Sequence, residues 1–261
     1  MARLTKKEIY ANHGIVFDGD HIHSPIGLIN ELLKEGNTKT GKKVYTFSLL
    51  PTNHDFTIDI NGKAYTVRGT CACTCKGCYA TKNKYNTDGV IRSMAINTIL
   101  VNEYLDFVKA CISAQLEILK SGEIRIHAAG DFATKNPAAY AEMWHDTASK
   151  YTSFIYWTYT KVRKFESLFD DLGNANIVKS VIPNIGINFG HCDYILNTYF
   201  TLREIGEDVY ICKCGFDNIQ HCEGCKVCAT YKYVLFLEHS TEYNAKKDPL
   251  YNKLKTLVMA Q

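Results

Sequence analysis

One short segment of the chain holds four cysteines, and three of them have the spacing of an iron–sulfur loop. Cys71, Cys75 and Cys78 stand in a C-x3-C-x2-C arrangement. Three thiolates on one small loop can bind three irons of a [4Fe–4S] cube and leave the fourth iron open to a ligand that is not protein. The spacing therefore predicts a cluster that can bind a substrate or a cofactor at its open iron.

Cys73, which lies inside the same loop, leaves a second interpretation open. If its thiolate also binds, four cysteines saturate the cluster, and the site becomes an electron carrier or a structural centre. A third interpretation is a zinc site with four cysteines, although zinc knuckles usually have paired C-x2-4-C spacings that are less compact than this loop. The compact spacing of the loop therefore favours iron–sulfur over zinc.

A second cysteine group occupies residues 212–228. Its predicted ligands have the spacing C-x7-C-x2-C-x2-C and are Cys214, Cys222, Cys225 and Cys228, with Cys212 and His221 as spare donors. The C-x2-C-x2-C run is of the ferredoxin type and predicts an auxiliary [4Fe–4S] centre that relays electrons or binds substrate. The alternative is zinc held by four thiolates, which would stabilise a loop-rich C-terminal segment.

Cysteine usage and charge restrict the class of protein. The chain has 11 cysteines, an odd number concentrated in the two groups, which favours metal-binding thiols in a reducing compartment over a disulfide framework. The formal net charge of +3 does not require a polyanionic partner, so nucleic acid stays open as a partner without support. No segment approaches the roughly 18 consecutive apolar residues of a membrane span, so we expect a cytoplasmic protein without a membrane partner.

Two elements flank the first cysteine loop. Before it, residues 43–69 alternate apolar and polar side chains around Asn61-Gly62, which predicts a β-hairpin. After it, residues 91–120 carry apolar side chains at steps of three and four and predict one long helix that stops at Gly122. The loop should therefore connect a strand to a helix.

Strand and helix patterns then alternate along the chain. Residues 123–132 predict a buried strand and a glycine turn, a helix starts near Asn136-Pro137, and residues 154–161 predict the next strand before KFESLFDDL. A further helix is predicted at residues 193–207. This alternation indicates parallel βαβ units, in which ligands lie at the carboxyl ends of the strands.

These patterns predict an α/β fold with two parts. The first is a partial (β/α) barrel with an N-terminal β-hairpin in residues 1–210. The second is a cysteine-rich auxiliary metal segment in residues 211–261, which ends in a helix at 248–259.

Several segments resemble known families. The cysteine spacing is similar to that of the radical S-adenosylmethionine (SAM) superfamily, in which the open iron chelates the amino and carboxylate groups of SAM. This resemblance implies that Cys71, Cys75 and Cys78 are the ligands. YTFSLLP, CKGCYA, RIHAAGDF and YWTYTK, together with the late cysteines, resemble the phage-associated gene product 88 family across most of residues 45–228. That resemblance implies a radical-SAM-like barrel. The chain departs from the family pattern by a hairpin inserted at 52–68 and by the compact spacing from Cys71 to Cys75.

The resemblance to radical SAM barrels implies roles for residues that follow the strands. In those barrels a Gly-Gly-Glu-like turn receives the SAM ammonium, and Ala129-Gly130-Asp131 lies at the corresponding place. Gly130 would permit close approach of the backbone, and Asp131 would supply the anion. The alternative is that this pair only turns the strand and caps the next helix.

Three more residues are candidates for contacts with SAM or a substrate. His127 is predicted on the opposite face of its strand from Ile124 and Ile126, pointing into the barrel, unless it is a hydrogen-bonded core residue. Tyr159 and Lys161 end the next strand and could contact the SAM carboxylate or a substrate phosphate. A strand-end lysine is otherwise commonly solvated.

The resemblance implies an enzyme with two [4Fe–4S] clusters that cleaves SAM reductively and abstracts hydrogen from an unknown substrate. Such an enzyme also requires an electron donor. The alternative from another class is a non-catalytic iron–sulfur or zinc protein of phage or mobile-element origin that engages nucleic acid.

Overall fold

The computed structural model of the chain describes residues 4–36, 42–72, 80, 86–179, 189–213, 216, 225–237 and 244–261. The described residues form a mixed α/β fold with seven α-helices and several sheets. The helices are α1 (Lys6–Asn12), α2 (Asp88–Glu103), α3 (Leu105–Leu119), α4 (Pro137–Lys150), α5 (Cys192–Glu204), α6 (Val227–Thr230) and α7 (Tyr251–Met259). The strands are β1 (Phe17–Asp18), β2 (His21–Ser24), β3 (Gly27–Ile29), β4 (Lys34–Glu35), β5 (Val44–Phe47), β6 (Asp55–Ile60), β7 (Lys63–Arg68), β8 (Gly122–Ile126), β9 (Phe154–Thr160), β10 (Ala175–Lys179), β11 (Phe189–Gly190), β12 (Val209–Ile211) and β13 (Tyr233–Leu237).

The central sheet has five strands in the order β10-β9-β8-β5-β4. The strands β5, β8, β9 and β10 are parallel, and β4 pairs with β5 in the antiparallel direction at the edge. Because these four strands run in the same direction, their carboxyl ends all reach the same edge of the sheet. The predicted parallel arrangement is thus confirmed, and among the described residues the strands form no closed barrel.

The β-hairpin before the cysteine loop is confirmed. Strands β6 and β7 pair in the antiparallel direction, with Ile60 opposite Lys63. Asn61 and Gly62 both have positive φ, at 56° and 80°, which is the backbone of a type I′ turn and is accessible to this pair of residues.

The long helix predicted for residues 91–120 is wrong in one respect, because the chain forms two helices there. Tyr104, between α2 and α3, has φ −142° and ψ 50°, far from helical values. The end of α3 also differs from the prediction. Lys120 takes the left-handed φ of 72° at the C-cap, and Gly122 instead begins β8.

The connection from β9 to β10 does not follow the predicted alternation of strands and helices. KFESLFDDL does not form an α-helix, and its regular structure is a 3₁₀ turn at Arg163–Phe165. By contrast, α4 begins as predicted, since Asn136 caps it by accepting a hydrogen bond from the backbone of Ala139 and Pro137 occupies its first turn.

The buried apolar side chains form two large clusters. The first extends from Ile9 to Ile177 and fills the space between one face of the central sheet and helices α2, α3 and α4. The second extends from Cys192 to Val258 and packs α5 and α7 against the parallel sheet β11-β13-β12. No helix of the described residues has the length and hydropathy that a membrane crossing requires.

Candidate functional site

A buried aspartate connects three loops at the carboxyl edge of the central sheet. Asp131, 4% exposed, follows β8. Its Oδ1 accepts hydrogen bonds from the Thr160 hydroxyl and the Phe132 backbone, both at 2.7 Å. Its Oδ2 accepts one from the Lys161 backbone at 2.8 Å. The carboxylate therefore ties the turn after β8 to the end of β9.

The same turn is bound to the segment that leads into the first cysteine group. The backbone N–H of Asp131 donates to the Thr70 hydroxyl at 3.0 Å, and that hydroxyl donates to the carbonyl of Leu50 at 3.0 Å. The backbone of Ala133 donates to the carbonyl of Thr70 at 3.0 Å. Thr70 immediately precedes Cys71, so the structure brings the first predicted ligand to the Gly130-Asp131 turn.

Gly130 permits this close approach. Its φ is +85°, and a Cβ added there would lie 2.7 Å from both the Leu49 Cβ and the Thr70 Oγ1. These distances are too short for any side chain, so the position requires glycine. The predicted close approach is therefore to the chain's own loop; an approach to SAM stays a prediction.

Burial and hydrogen bonding act in opposite directions on the Asp131 carboxyl group. Burial raises its pKa to about 6, although the hydrogen bonds from Lys161, Thr160 and Phe132 and the charge of Lys161 lower it. The group is therefore mostly ionised at neutral pH while it is held in an environment that penalises its charge.

His127 lies on the helix side of the sheet, not on the opposite face as the strand alternation predicts. Its φ of +61° interrupts the alternation directly after β8. The ring is 3% exposed, its Nε2 lies 2.8 Å from the Tyr140 hydroxyl of α4, and its Nδ1 lies 3.3 Å from the Thr158 hydroxyl. Burial lowers its pKa to about 3, so the ring is neutral with both nitrogens bonded. A contact with SAM or substrate stays a prediction, and these partners favour a core role.

Cys71 is half-buried, and its backbone N–H donates to the carbonyl of Thr52 at 2.8 Å. Thr70 and Gly69 are bound to the same loop, through the carbonyls of Leu50 and His54. The hairpin inserted at 52–68 thus begins and ends at the same place in the fold, because Thr70 and Cys71 bind to Leu50 and Thr52. Cys71 is held at the sheet edge by backbone hydrogen bonds on the hairpin's own base.

On its second face, the central sheet contacts Cys228 of the other cysteine group. The Tyr159 hydroxyl lies 2.9 Å from the Cys228 Sγ. The guanidinium of Arg125 lies over the rings of Trp157, at 5.2 Å, and Tyr159, at 5.7 Å. Burial raises the pKa of Tyr159 well above its ordinary value, and the neighbouring Cys228 acts in the same direction. Tyr159 is therefore a neutral hydroxyl beside a sulfur.

Helix α6, which carries Cys228, is fixed to the sheet by an amide side chain. Asn176 of β10 is buried, and its Nδ2 donates to the carbonyls of Cys228 and Tyr231, both at 2.9 Å. Cys212, at the end of β12, belongs to the same small apolar cluster as Tyr159 and Cys228. The spare donor Cys212 thus lies in the neighbourhood of a predicted ligand.

Of the other predicted metal ligands, Cys225 is half-buried and four lie outside the described residues. These four are Cys75, Cys78, Cys214 and Cys222, and the spare donors Cys73 and His221 lie outside as well. Within the described part of the chain, no three histidine, cysteine, aspartate or glutamate side chains are grouped so that they could hold a metal ion. Both metal centres therefore stay predictions.

Sequence reasoning missed four residues that organise these sites: Thr70, Arg125, Thr160 and Asn176. Two of them carried a usable signal, because Thr70 directly precedes the first cysteine and Thr160 ends a predicted strand. Arg125 and Asn176 lie within strands, and their partners are more than 30 residues away in the chain. No local pattern could have identified those contacts.

The fold and the site define an α/β protein in which strand-end loops hold a cysteine segment beside a buried aspartate. Residues 31–184, more than half of the chain, match the gene product 88 family. The chain therefore belongs to this phage-associated family. The matched range contains the first cysteine group, Asp131 and Tyr159, and it ends before Cys212. Comparison with curated proteins and with solved structures gave no match.

Proposed function

We propose that the chain is an iron–sulfur enzyme of the radical SAM type. The observation that carries the proposal is the convergence of Cys71 with the Gly130-Asp131 turn at the carboxyl edge of a parallel sheet. Ligands bind at that edge in parallel α/β folds. The order of β5, β8, β9 and β10 is also the order in which consecutive strands of a (β/α) barrel lie, which supports a partial barrel.

In this proposal Cys71, Cys75 and Cys78 hold the first cluster. The described part of the site is compatible with such a group, because hydrogen bonds of Thr70 and Cys71 fix the start of the loop at its first predicted ligand. A cluster bound there would supply the electron that splits SAM into methionine and a 5′-deoxyadenosyl radical. The radical would become 5′-deoxyadenosine by taking a hydrogen atom from the substrate.

The chain's own residues orient this site. Asp131 fixes the turn that faces the cysteine loop and would supply the anion for the SAM ammonium. Lys161, whose backbone Asp131 holds, places a positive charge at the same edge for the SAM carboxylate or a substrate phosphate. The two charges are suited to an amino acid headgroup, which carries both signs.

The proposed enzyme has two parts. Residues 1–210 would form the catalytic unit and residues 211–261 the auxiliary metal segment, with Cys214, Cys222, Cys225 and Cys228 binding a second [4Fe–4S] cluster. We place the enzyme in the cytoplasm, where an electron donor is available and cysteine thiols stay reduced.

The direct test is SAM cleavage by anaerobically reconstituted protein with dithionite as the reductant. The proposal predicts release of 5′-deoxyadenosine, which is quantified by chromatography. Cys75→Ala removes a predicted ligand and serves as the control. An amount of 5′-deoxyadenosine no greater than in Cys75→Ala would count against a radical SAM enzyme.

Cys73→Ala separates the enzyme from a saturated, non-catalytic cluster. If the chain is the proposed enzyme, Cys73→Ala should leave the iron content and the EPR spectrum unchanged, because Cys73 is not a ligand. Loss of iron or an altered spectrum would instead favour a cluster held by four cysteines.

A further inference from the structure

The contact between Tyr159 and Cys228 is built into the second face of the central sheet. The Tyr159 ring packs edge-on against Trp157 at 5.8 Å and against Phe236 of β13 at 5.8 Å. These rings restrict the direction of the tyrosine side chain. Its hydroxyl therefore points at the Cys228 sulfur because the sheet holds it there.

Cys228 is also fixed from its backbone. Asn176 holds the carbonyl of Cys228 and the carbonyl of Tyr231, so both ends of the short helix α6 are bound to β10. The sulfur thus reaches Tyr159 from a backbone that cannot shift without breaking two buried hydrogen bonds.

The charge near this sulfur is positive. Arg125 on β8 lies over the Tyr159 ring, with its guanidinium 5.7 Å from the ring centroid. A guanidinium keeps its charge at any physiological pH. The sheet therefore places a hydroxyl donor beside the Cys228 sulfur and a fixed cation over the ring that carries this hydroxyl.

A metal-bound thiolate has no proton and can only accept a hydrogen bond, so a hydroxyl at 2.9 Å from it must be the donor. We propose that Tyr159, assisted by Arg125, is a positioning residue for the C-terminal metal centre, whose hydroxyl donates to the Cys228 sulfur and raises the reduction potential of a cluster bound there. Hydrogen bonds to ligand sulfurs stabilise the reduced, more negative cluster. The inference rests on the proposed function only in taking Cys228 as a metal ligand.

This role differs from the contact with SAM or substrate predicted for Tyr159 from the sequence. On the described residues, the hydroxyl faces the auxiliary segment instead of the Asp131 turn. Adjacent side chains of β9 point to opposite faces, so Thr160 reaches Asp131 and Tyr159 reaches Cys228. The two metal centres would thus be connected through neighbouring residues of one strand.

The test compares Tyr159→Phe with Tyr156→Phe in the full chain. Tyr156 lies on the same strand, but its hydroxyl contacts the carbonyl of Tyr151 on the other face. Cys71→Ser, Cys75→Ser and Cys78→Ser in the background leave iron only at the C-terminal centre. In EPR-monitored redox titrations, Tyr159→Phe is expected to lower the midpoint potential, while Tyr156→Phe leaves it unchanged. Equal midpoint potentials in the triple serine protein and in its Tyr159→Phe and Tyr156→Phe variants would overturn the inference.

Arg125 provides a second measurement if the triple serine background does not fold. In protein that retains all cysteines, Arg125→Gln is expected to lower the potential of one of the two EPR signals and Arg125→Lys to restore it. A potential that is unchanged in Arg125→Gln, or not restored by lysine, would contradict the assisting role of the charge.

The outcomes separate this inference from the proposed function. The intact protein could hold iron and sulfide at the C-terminal centre and release no 5′-deoxyadenosine. That result would reject the proposed SAM cleavage and would not contradict the role of Tyr159. If the centre takes zinc, Tyr159→Phe is expected to accelerate zinc release during alkylation of Cys228, because the sulfur loses its donor and becomes more nucleophilic. An unchanged rate, or absence of any metal at Cys228, would overturn the inference.

Discussion

Asp131 combines burial with a full set of donors at one oxygen. A carboxylate in such a place is costly unless hydrogen bonds compensate for the lost water. Its Oδ1 has two donors and its Oδ2 has one, and two of these three donors are buried backbone or hydroxyl groups at the end of β9. The residue thus connects separate loops whether or not it also binds a ligand.

Asp131→Asn tests this connection. An asparagine offers one accepting oxygen where the aspartate offers two, so the backbone of Lys161 or the hydroxyl of Thr160 loses its partner. We expect the free energy of unfolding to fall by about 2 kcal/mol, the usual cost of an unsatisfied buried group. Urea denaturation measures the loss, and Asp106→Asn on the exposed start of α3 is the control. Equal effects of the two changes would contradict the role of Asp131.

His127 predicts a pH dependence of stability. Its pKa is lowered to about 3 in the fold, against an ordinary 6.5, so the unfolded chain binds a proton that the folded chain does not. Stability should therefore be fully present above about pH 6.5 and decrease as the pH falls toward 3. Asp131 acts in the opposite direction from about pH 4 to 6, because its raised pKa favours the protonated fold.

A comparison with His127→Gln isolates the histidine from the aspartate. The wild type is expected to lose stability more steeply than the variant between pH 7 and pH 5 in urea denaturation series. Parallel pH profiles of the two proteins would mean that the ring is not held neutral in the fold.

At the scale of the elements, the contact between the loop after β5 and the turn after β8 leaves no space for a side chain at Gly130. We expect Gly130→Ala to destabilise the fold by about 3 kcal/mol, since it combines a left-handed φ with overpacking against Leu49 and Thr70. Gly173→Ala is the matched control, because no atom lies within 4 Å of its added Cβ and its φ is not positive. Thermal unfolding of both variants measures the difference, and similar melting temperatures would contradict the close approach.

Some elements could be predicted because their determinants are local. Asn61-Gly62 specifies the hairpin turn, and Asn136-Pro137 specifies the start of α4, without reference to the rest of the chain. The break at Tyr104 could not be predicted in this way, because the apolar steps of three and four continue through it. Helices α2 and α3 each pack on the first core cluster, and tertiary packing decides where one ends and the next begins.

The candidate site was predictable at its motifs and not at its contacts. The cysteines and Gly130-Asp131 are visible in the sequence because their residue types and spacing suggest chemistry. The face of His127 was mispredicted since its positive φ interrupts the strand alternation, and a positive φ in a histidine has no local sequence signal. The pairing of Tyr159 with Cys228 depends on residues 69 positions apart.

At the scale of the whole molecule, the described residues around Cys228 lie on the central sheet. Asn176→Ala should loosen α6, because its amide donates to the carbonyls of Cys228 and Tyr231. Faster hydrogen exchange is expected in peptides from residues 225–237, measured by mass spectrometry.

Asn174→Ala is the control for this experiment. Its amide also holds two carbonyls, those of Ala148 and Phe154, but both belong to the first part of the fold. Exchange in residues 225–237 that is equally fast in both variants, or unchanged in Asn176→Ala, would show that Asn176 does not dock the segment.

Metal analysis of anaerobically purified protein tests most directly whether the two cysteine groups bind iron–sulfur clusters, as we propose. We expect a brown protein with about four irons and four acid-labile sulfides for each cluster, and about half of both in Cys75→Ala. A colourless protein that contains zinc and no sulfide would contradict the proposal.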